Sequence, residues 1–78
     1  MNKEFEKLQE IISYVLRVDK DEITMETSFL DDLGADSLDV FQIIMSIEDE
    51  YDIKISNEEA EDIRTVGDAV RKIEEALA

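Results

Sequence analysis

The sequence predicts an all-α four-helix bundle: three longer helices and one short helix, with a long first loop between the first and second. Three observations predict it. Apolar residues recur at helical spacing in three separate stretches, and capping residues with an acid three positions on stand before each helix after the first. The one strand-like alternation, Tyr51, Ile53 and Ile55, has no second run to pair with, so it reads as an extended connector.

In the first stretch Phe5, Leu8, Ile12, Val15 and Leu16 share a helix face, Ile11 widens it, and Asn2 is placed to cap it. A helix near residues 3–16 follows. From Arg17 to Asp36 no period is sustained, but Phe29, Leu30 and Leu33 are apolar enough to pin the segment onto a core. A loop of that length tends to be functional or to hold a short helical turn, which Ser28 can cap and Gly34 can end.

Asp36 is the expected N-cap of a second helix reaching to about Tyr51, with Asp39 adding negative charge to its first turn and Ser37 at its start. Ser56 followed by Glu59 has capping-box spacing and opens a short helix to about Ile63. Thr65 and Asp68 repeat the arrangement. They open a last helix whose Val66, Ala69, Val70, Ile73 and Leu77 form one apolar stripe.

The second helix carries more apolar surface than one core face requires. Val40, Ile43, Ile44, Ile47 and Tyr51 fall within an arc of about 100° and suit the core. Leu38, Phe41 and Met45 lie on a separate arc, bordered by Glu48, Asp49 and Gln42. Two expectations compete for this second stripe: the long loop folds over it and buries it, or it stays open as an interaction surface whose acidic rim steers partners; both hold in part if the loop covers Phe41 while Leu38 and Met45 stay accessible beside Ser37.

At 78 residues the chain has room for one domain and no more, and a core of that size gives marginal stability. With neither cysteine nor histidine, disulfides, thiolate metal sites and histidine-based catalysis are excluded. The longest apolar run, Val40 to Met45, is interrupted by Gln42, and Asn2, Lys3 and Glu4 do not lead into a signal-like segment, so no membrane insertion and a soluble cytoplasmic location are expected. Nothing signals oligomerisation, and a monomer is expected.

The formal net charge of -14 is concentrated: from Asp21 to Asp62 fifteen acidic residues face one basic residue, Lys54. Such a field repels nucleic acid and anionic membranes and attracts basic protein surfaces or cations. It also serves solubility alone, in which case no recognition role follows.

A serine at a helix start most often serves only as a cap. Here Asp36 supplies the cap, which leaves the Ser37 hydroxyl outward at the helix end where an attached phosphodiester is stabilised. Ser37 has no histidine or nearby lysine to activate it, and the run Gly34 to Leu38 lacks the closing glycine of a nucleophile elbow, so hydrolase chemistry is excluded and no catalytic residue is assigned. The acids Asp31, Asp32, Asp36 and Asp39 invite a calcium reading. Aligning Gly34 with the invariant glycine of the EF-hand loop puts Phe29, Leu33 and Val40 at ligand positions, so that template fails and no metal site is assigned. Loose cation binding stays open.

The run Asp31, Asp32, Leu33, Gly34, Ala35, Asp36, Ser37, Leu38, Asp39 closely resembles the phosphopantetheine attachment motif of acyl carrier proteins, in particular the free-standing carriers of bacterial type II fatty acid synthesis. The resemblance continues through Met45 to Tyr51, Asn57 to Ile63, and Thr65 with Val66, so residues 1–78 form a single carrier domain on this reading. It implies a 4′-phosphopantetheine arm, moved from coenzyme A to Ser37 by a phosphopantetheinyl transferase whose basic residues meet Asp36 and Asp39 beside Leu38. The arm carries acyl chains as thioesters. It further implies that Leu38, Phe41, Gln42, Met45, Glu48 and Asp49 are the surface read by fatty acid synthesis enzymes with basic patches, and that the bundle interior shelters the acyl tail. Gln42 stands where such carriers commonly have glutamate, and Ser56 where proline is frequent, which leaves that connector less rigid. The alternatives are a carrier for a polyketide or other specialised pathway, an unmodified acidic interaction module, and a weak cation-binding protein.

Overall fold

The computed structural model describes residues 2–78. Four α-helices follow in chain order: α1 (Lys3–Leu16), α2 (Ser37–Tyr51), α3 (Asn57–Glu61) and α4 (Val66–Leu77). The all-α class and the three long and one short helices stand as the sequence predicts. α1 packs against both α2 and α4. Leu8 and Ile12 from α1, Ile43, Ile44 and Ile47 from α2, and Val66, Ala69, Val70 and Ile73 from α4 meet in one buried cluster.

Each helix starts where its cap dictates. The Asn2 side chain accepts the Phe5 N–H, and α2, α3 and α4 each open on a complete capping box, from Asp36 and Asp39, Ser56 and Glu59, and Thr65 and Asp68. Ser56 thus gains a function at the position where the resemblance favours proline: its hydroxyl accepts the Glu59 N–H at 3.1 Å. α1 and α2 end on left-handed residues, Arg17 at φ 59° and Asp52 at φ 54°. α3 stops at Glu61, two residues before the expected Ile63. The Asp62 and Ile63 N–H groups donate to Glu59 and Ala60 carbonyls three residues back, so the last turn tightens out of α geometry.

The first loop holds a 3-10 turn, Lys20–Glu22, capped by Asp19, that hydrophobic periodicity cannot reveal because it buries none of its residues. The turn expected at Ser28 also forms. The Ser28 hydroxyl accepts the Asp31 N–H at 3.2 Å, and the Asp32 carboxylate accepts the Ser28 N–H at 2.8 Å. Gly34, at φ 65°, turns the chain toward α2.

The loop is stitched to the start of α4. Phe29 N–H donates to Arg64 O at 3.1 Å, Val66 N–H to Thr27 O at 2.9 Å and Gly67 N–H to Met25 O at 2.8 Å, around one isolated bridge between Ser28 and Thr65. These bonds satisfy backbone groups that burial of Thr27 and Phe29 would otherwise orphan. They also hold the loop beside α2 and α4, where it frames Ser37.

Candidate functional site at Ser37

Asp36 Oδ1 accepts the Asp39 N–H at 2.9 Å, while Asp39 Oδ2 accepts the Asp36 N–H at 3.4 Å. That reciprocal pair closes the helix start without help from Ser37. The Ser37 side chain is exposed, and its hydroxyl makes no hydrogen bond among the described residues. An oxygen in this position is open to a modifying enzyme and unactivated by any base of its own chain.

Beside it lies an open, largely apolar cleft of about 560 Å³. α2 contributes Ser37, Val40, Phe41 and Ile44 to its wall, the loop contributes Phe29 and Leu30, and Ala60 and Ile63 close the far side. Its floor is core: Phe29 and Ile44 are buried. Arg64 stands on the same wall, and sequence reasoning missed it. Its one visible signal is a lone cation just past the acidic tract; its 27-residue separation from Ser37 hides the rest.

The second stripe of α2 is open. Leu38 is 65% exposed, and Phe41 and Met45 are each 52% exposed. The expectation that the loop buries the stripe is therefore incorrect, for a packing reason. Phe29 turns inward to 1% exposure and anchors the loop on the core, while Leu30, at 61%, points out beside the cleft instead of across the helix. Gln42 and Asp49 are exposed next to the stripe. Glu48 is half-buried, and its Oε2 accepts the Ile55 N–H at 2.8 Å, so part of its carboxylate is committed to the fold. Met45, Glu48, Asp49, Ile53 and Lys54 also line a second, shallower groove of about 500 Å³ at the far end of the stripe.

Among the described residues no group of three or more carboxylates is gathered to hold a metal ion, and no helix is long and apolar enough to cross a membrane. The acids instead cap helices, hold loop N–H groups as Glu48 and Asp32 do, or face solvent. The carboxylates of Glu59 and Asp68 are held below their ordinary range. For Glu59 the Ser56 N–H and hydroxyl are the main cause; for Asp68 burial pushes upward but is outweighed by the Arg64 and Thr65 N–H groups, the Thr65 hydroxyl and the Arg71 charge.

A small helical bundle that presents an unactivated serine at a capped helix start, beside an apolar cleft, has the make-up of a carrier domain. The family model described as "Phosphopantetheine attachment site" matches residues 6–73. An acyl carrier protein of Clostridium perfringens is 55% identical over 71 residues, 91% of this chain and 93% of the relative. The solved structure of the acyl carrier protein from Enterococcus faecalis superposes with a TM-score of 0.80 at 38% identity, covering 95% of this chain and 94% of that one. A candidate acyl carrier protein from Mycobacterium tuberculosis gives 0.86 at 42% identity, over 91% and 95%.

The chain belongs to the acyl carrier proteins. It is a carrier of acyl groups rather than an enzyme, and the group it bears covalently is 4′-phosphopantetheine, which supplies the thiol for thioester formation. The residues present fit that group. Ser37 offers a free hydroxyl where a phosphodiester would meet the positive end of α2, and the adjoining cleft is wide and apolar enough to take a flexible arm and alkyl carbons.

Proposed function

We propose that Ser37 is the attachment point of the arm, and that the chain is a monomeric, cytoplasmic, single carrier domain serving fatty acid synthesis. The observation that carries the reading is the Asp36 and Asp39 capping box, which leaves the Ser37 hydroxyl unused at an exposed helix start. A separate phosphopantetheinyl transferase brings its own base and metal, moving the arm from coenzyme A. Asp36 and Asp39 meet basic residues of that enzyme, with Leu38 between them as an apolar contact.

Loaded, the arm presents acyl thioesters to synthesis enzymes through Leu38, Phe41 and Met45, with Gln42, Glu48 and Asp49 as the polar rim. The exposed stripe supports this, since its apolar centre and polar margin have the anatomy of a protein interface. For Glu48 the contribution is one carboxylate oxygen and its charge, the other oxygen being held by Ile55. The cleft beside Ser37 supports shelter for short acyl tails, because burying each CH2 removes about 0.8 kcal/mol of apolar exposure.

The test is to incubate the purified apo chain with coenzyme A and a phosphopantetheinyl transferase and to measure intact mass, with Ser37→Ala as control. The expected result is one phosphopantetheine on the native chain and none on the variant. Failure of the native chain to gain it with a competent transferase would falsify the reading.

A further inference from the structure

The wall of the Ser37 cleft contains a cation that the carrier reading does not use. Arg64 leads from α3 into α4, and its backbone is fixed on both sides: its N–H donates to Asp68 Oδ2 at 3.2 Å and its carbonyl accepts the Phe29 N–H at 3.1 Å. The side chain therefore starts from a set point on the wall of the cleft that Ser37, Phe29 and Leu30 also line. Its guanidinium is also uncommitted. Lys7, Arg71 and Lys72 each reach a carboxylate within 4.0 Å, but Arg64 pairs with none among the described residues, although Asp31 and Glu61 line the same cleft.

An exposed arginine with two acids nearby and no ion pair has its five donors available to an incoming group. The group that arrives at this cleft is defined by its chemistry: an arm rooted on Ser37 begins with a phosphodiester, a fixed negative charge, and continues as a chain of amides. Guanidinium binds phosphate oxygens through two parallel N–H bonds, a geometry that a lysine cannot reproduce. Elsewhere around Ser37 the nearby charges, Asp31, Asp36 and Asp39, are all negative and repel a phosphodiester. Arg64 is the one cation among the residues that line the cleft.

We propose that Arg64 is a positioning residue for the arm: its guanidinium contacts the phosphodiester on Ser37 and holds the root of the arm against the α2 and α3 side of the cleft. This rests on Ser37 being the attachment point. The contact turns the first bonds of the arm toward the apolar wall of Val40, Ile44 and Ile63, and away from Leu38 and Met45 on the exposed stripe that partner enzymes read. The stripe is then left open in the loaded carrier.

The experiment compares apo and holo forms of the native chain and of the R64Q, R64K and R71Q variants, each loaded enzymatically and checked by intact mass. Two signals are read: the Arg Nε–Hε resonances by NMR, and the 31P resonance of the phosphodiester as salt is raised. In the native chain the Arg64 Nε–Hε signal is expected to shift on loading while that of Arg71, paired on α4, does not. The 31P signal is expected to lie elsewhere in R64Q and to lose its salt dependence, with R64K intermediate and R71Q unchanged. An Arg64 signal identical in apo and holo native protein overturns the proposal, as does a 31P signal identical in native and R64Q proteins. The first comparison needs no substitution, so a variant that folded poorly would leave the proposal testable. A native chain whose mass does not change marks failure of the attachment reading itself and removes this proposal with it.

Discussion

Glu48 and Ile55 are joined across seven residues by a hydrogen bond of 2.8 Å from the Ile55 N–H to the Glu48 carboxylate. The backbone carbonyl of the same Glu48 accepts the Ile53 N–H at 3.1 Å, so one residue of α2 fixes the start of the connector that leads to α3. Hydrogen bonds to charged groups contribute roughly 1.5–3 kcal/mol when shielded, and less where water competes. Glu48→Ala is therefore expected to lower unfolding free energy by about 1 kcal/mol, and Glu48→Gln, which keeps the acceptor, by less than half of that. Urea denaturation measures both. Equal losses in the two variants would mean that charge, not the bond, is what matters at this position.

The apolar stripe calls for the opposite behaviour. Met45 is half exposed, so Met45→Glu removes little burial and should change stability by no more than about 0.5 kcal/mol. Binding to a fatty acid synthesis enzyme should weaken by tenfold or more, because a carboxylate then sits in the apolar centre of the interface. Calorimetric titration against one such enzyme, paired with a urea curve, separates the two effects. Binding that survives intact would remove Met45 from the partner surface.

How legible these features were in the sequence depends on their range. The helix starts were legible to the residue at Asp36, Ser56 and Thr65, because a cap and its answering acid lie three positions apart and the bond between them is local. The exposed stripe was visible on the helix wheel, but its fate was not. Whether Phe29 and Leu30 would cover Leu38, Phe41 and Met45 depends on which way the loop is anchored, and that is decided by backbone bonds to Arg64, Val66 and Gly67, some 35 to 42 residues further along. Separation hid Arg64 as well, since it lies 27 residues beyond Ser37. The 3-10 turn at Lys20–Glu22 escaped because three exposed polar residues leave no periodic trace.

Gly67 is buried at the start of α4, where a Cβ would lie 2.9 Å from the Met25 carbonyl oxygen, the same oxygen that accepts the Gly67 N–H. Glycine to alanine within a helix ordinarily stabilises by about 1 kcal/mol. Here the methyl group meets backbone that cannot rotate away, and the sign reverses: Gly67→Ala is expected to cost roughly 1–3 kcal/mol and to loosen the loop from α4. Hydrogen exchange at the Val66 and Gly67 amides reports the loosening. An alanine variant at least as stable as the native chain would show that the loop moves aside freely.

Charge should govern stability in a direction opposite to that of most ion-paired surfaces. Each of the four ion pairs of the described residues keeps at least one partner well exposed, and pairs of that kind contribute about 0–1 kcal/mol each. Against them stands a net charge of -14, whose self-repulsion is greatest in the compact state. Added salt weakens both, but the repulsion is the larger. The melting temperature should therefore rise with sodium chloride and rise further with millimolar magnesium or calcium, followed by circular dichroism. A melting temperature indifferent to both would leave repulsion without a measurable role.

The carboxylate of Asp68 gives the clearest dependence on pH. Its Oδ2 accepts the Arg64 and Thr65 N–H groups, each at 3.2 Å, and Oδ1 lies 3.6 Å from Arg71. Burial opposes ionisation, but these contacts together prevail and hold the folded-state pKa below the ordinary value for aspartate. A group whose pKa is lowered on folding binds more protons when unfolded, so its contribution is complete above the unfolded value of about 3.9 and is lost as pH falls through the folded one. Protonation of the many other carboxylates relieves repulsion over the same range, so the native chain alone gives a mixed curve. The difference between native and Asp68→Asn proteins removes that background, since both share it. That difference is expected to be about 0.5 kcal/mol at neutral pH, the order of one negative charge at a helix start, and to shrink toward zero below pH ~4 as the native carboxylate is protonated. Urea curves for both proteins at a series of pH values measure it. A difference that held constant or widened in acid would mean that Asp68 caps α4 without using its charge.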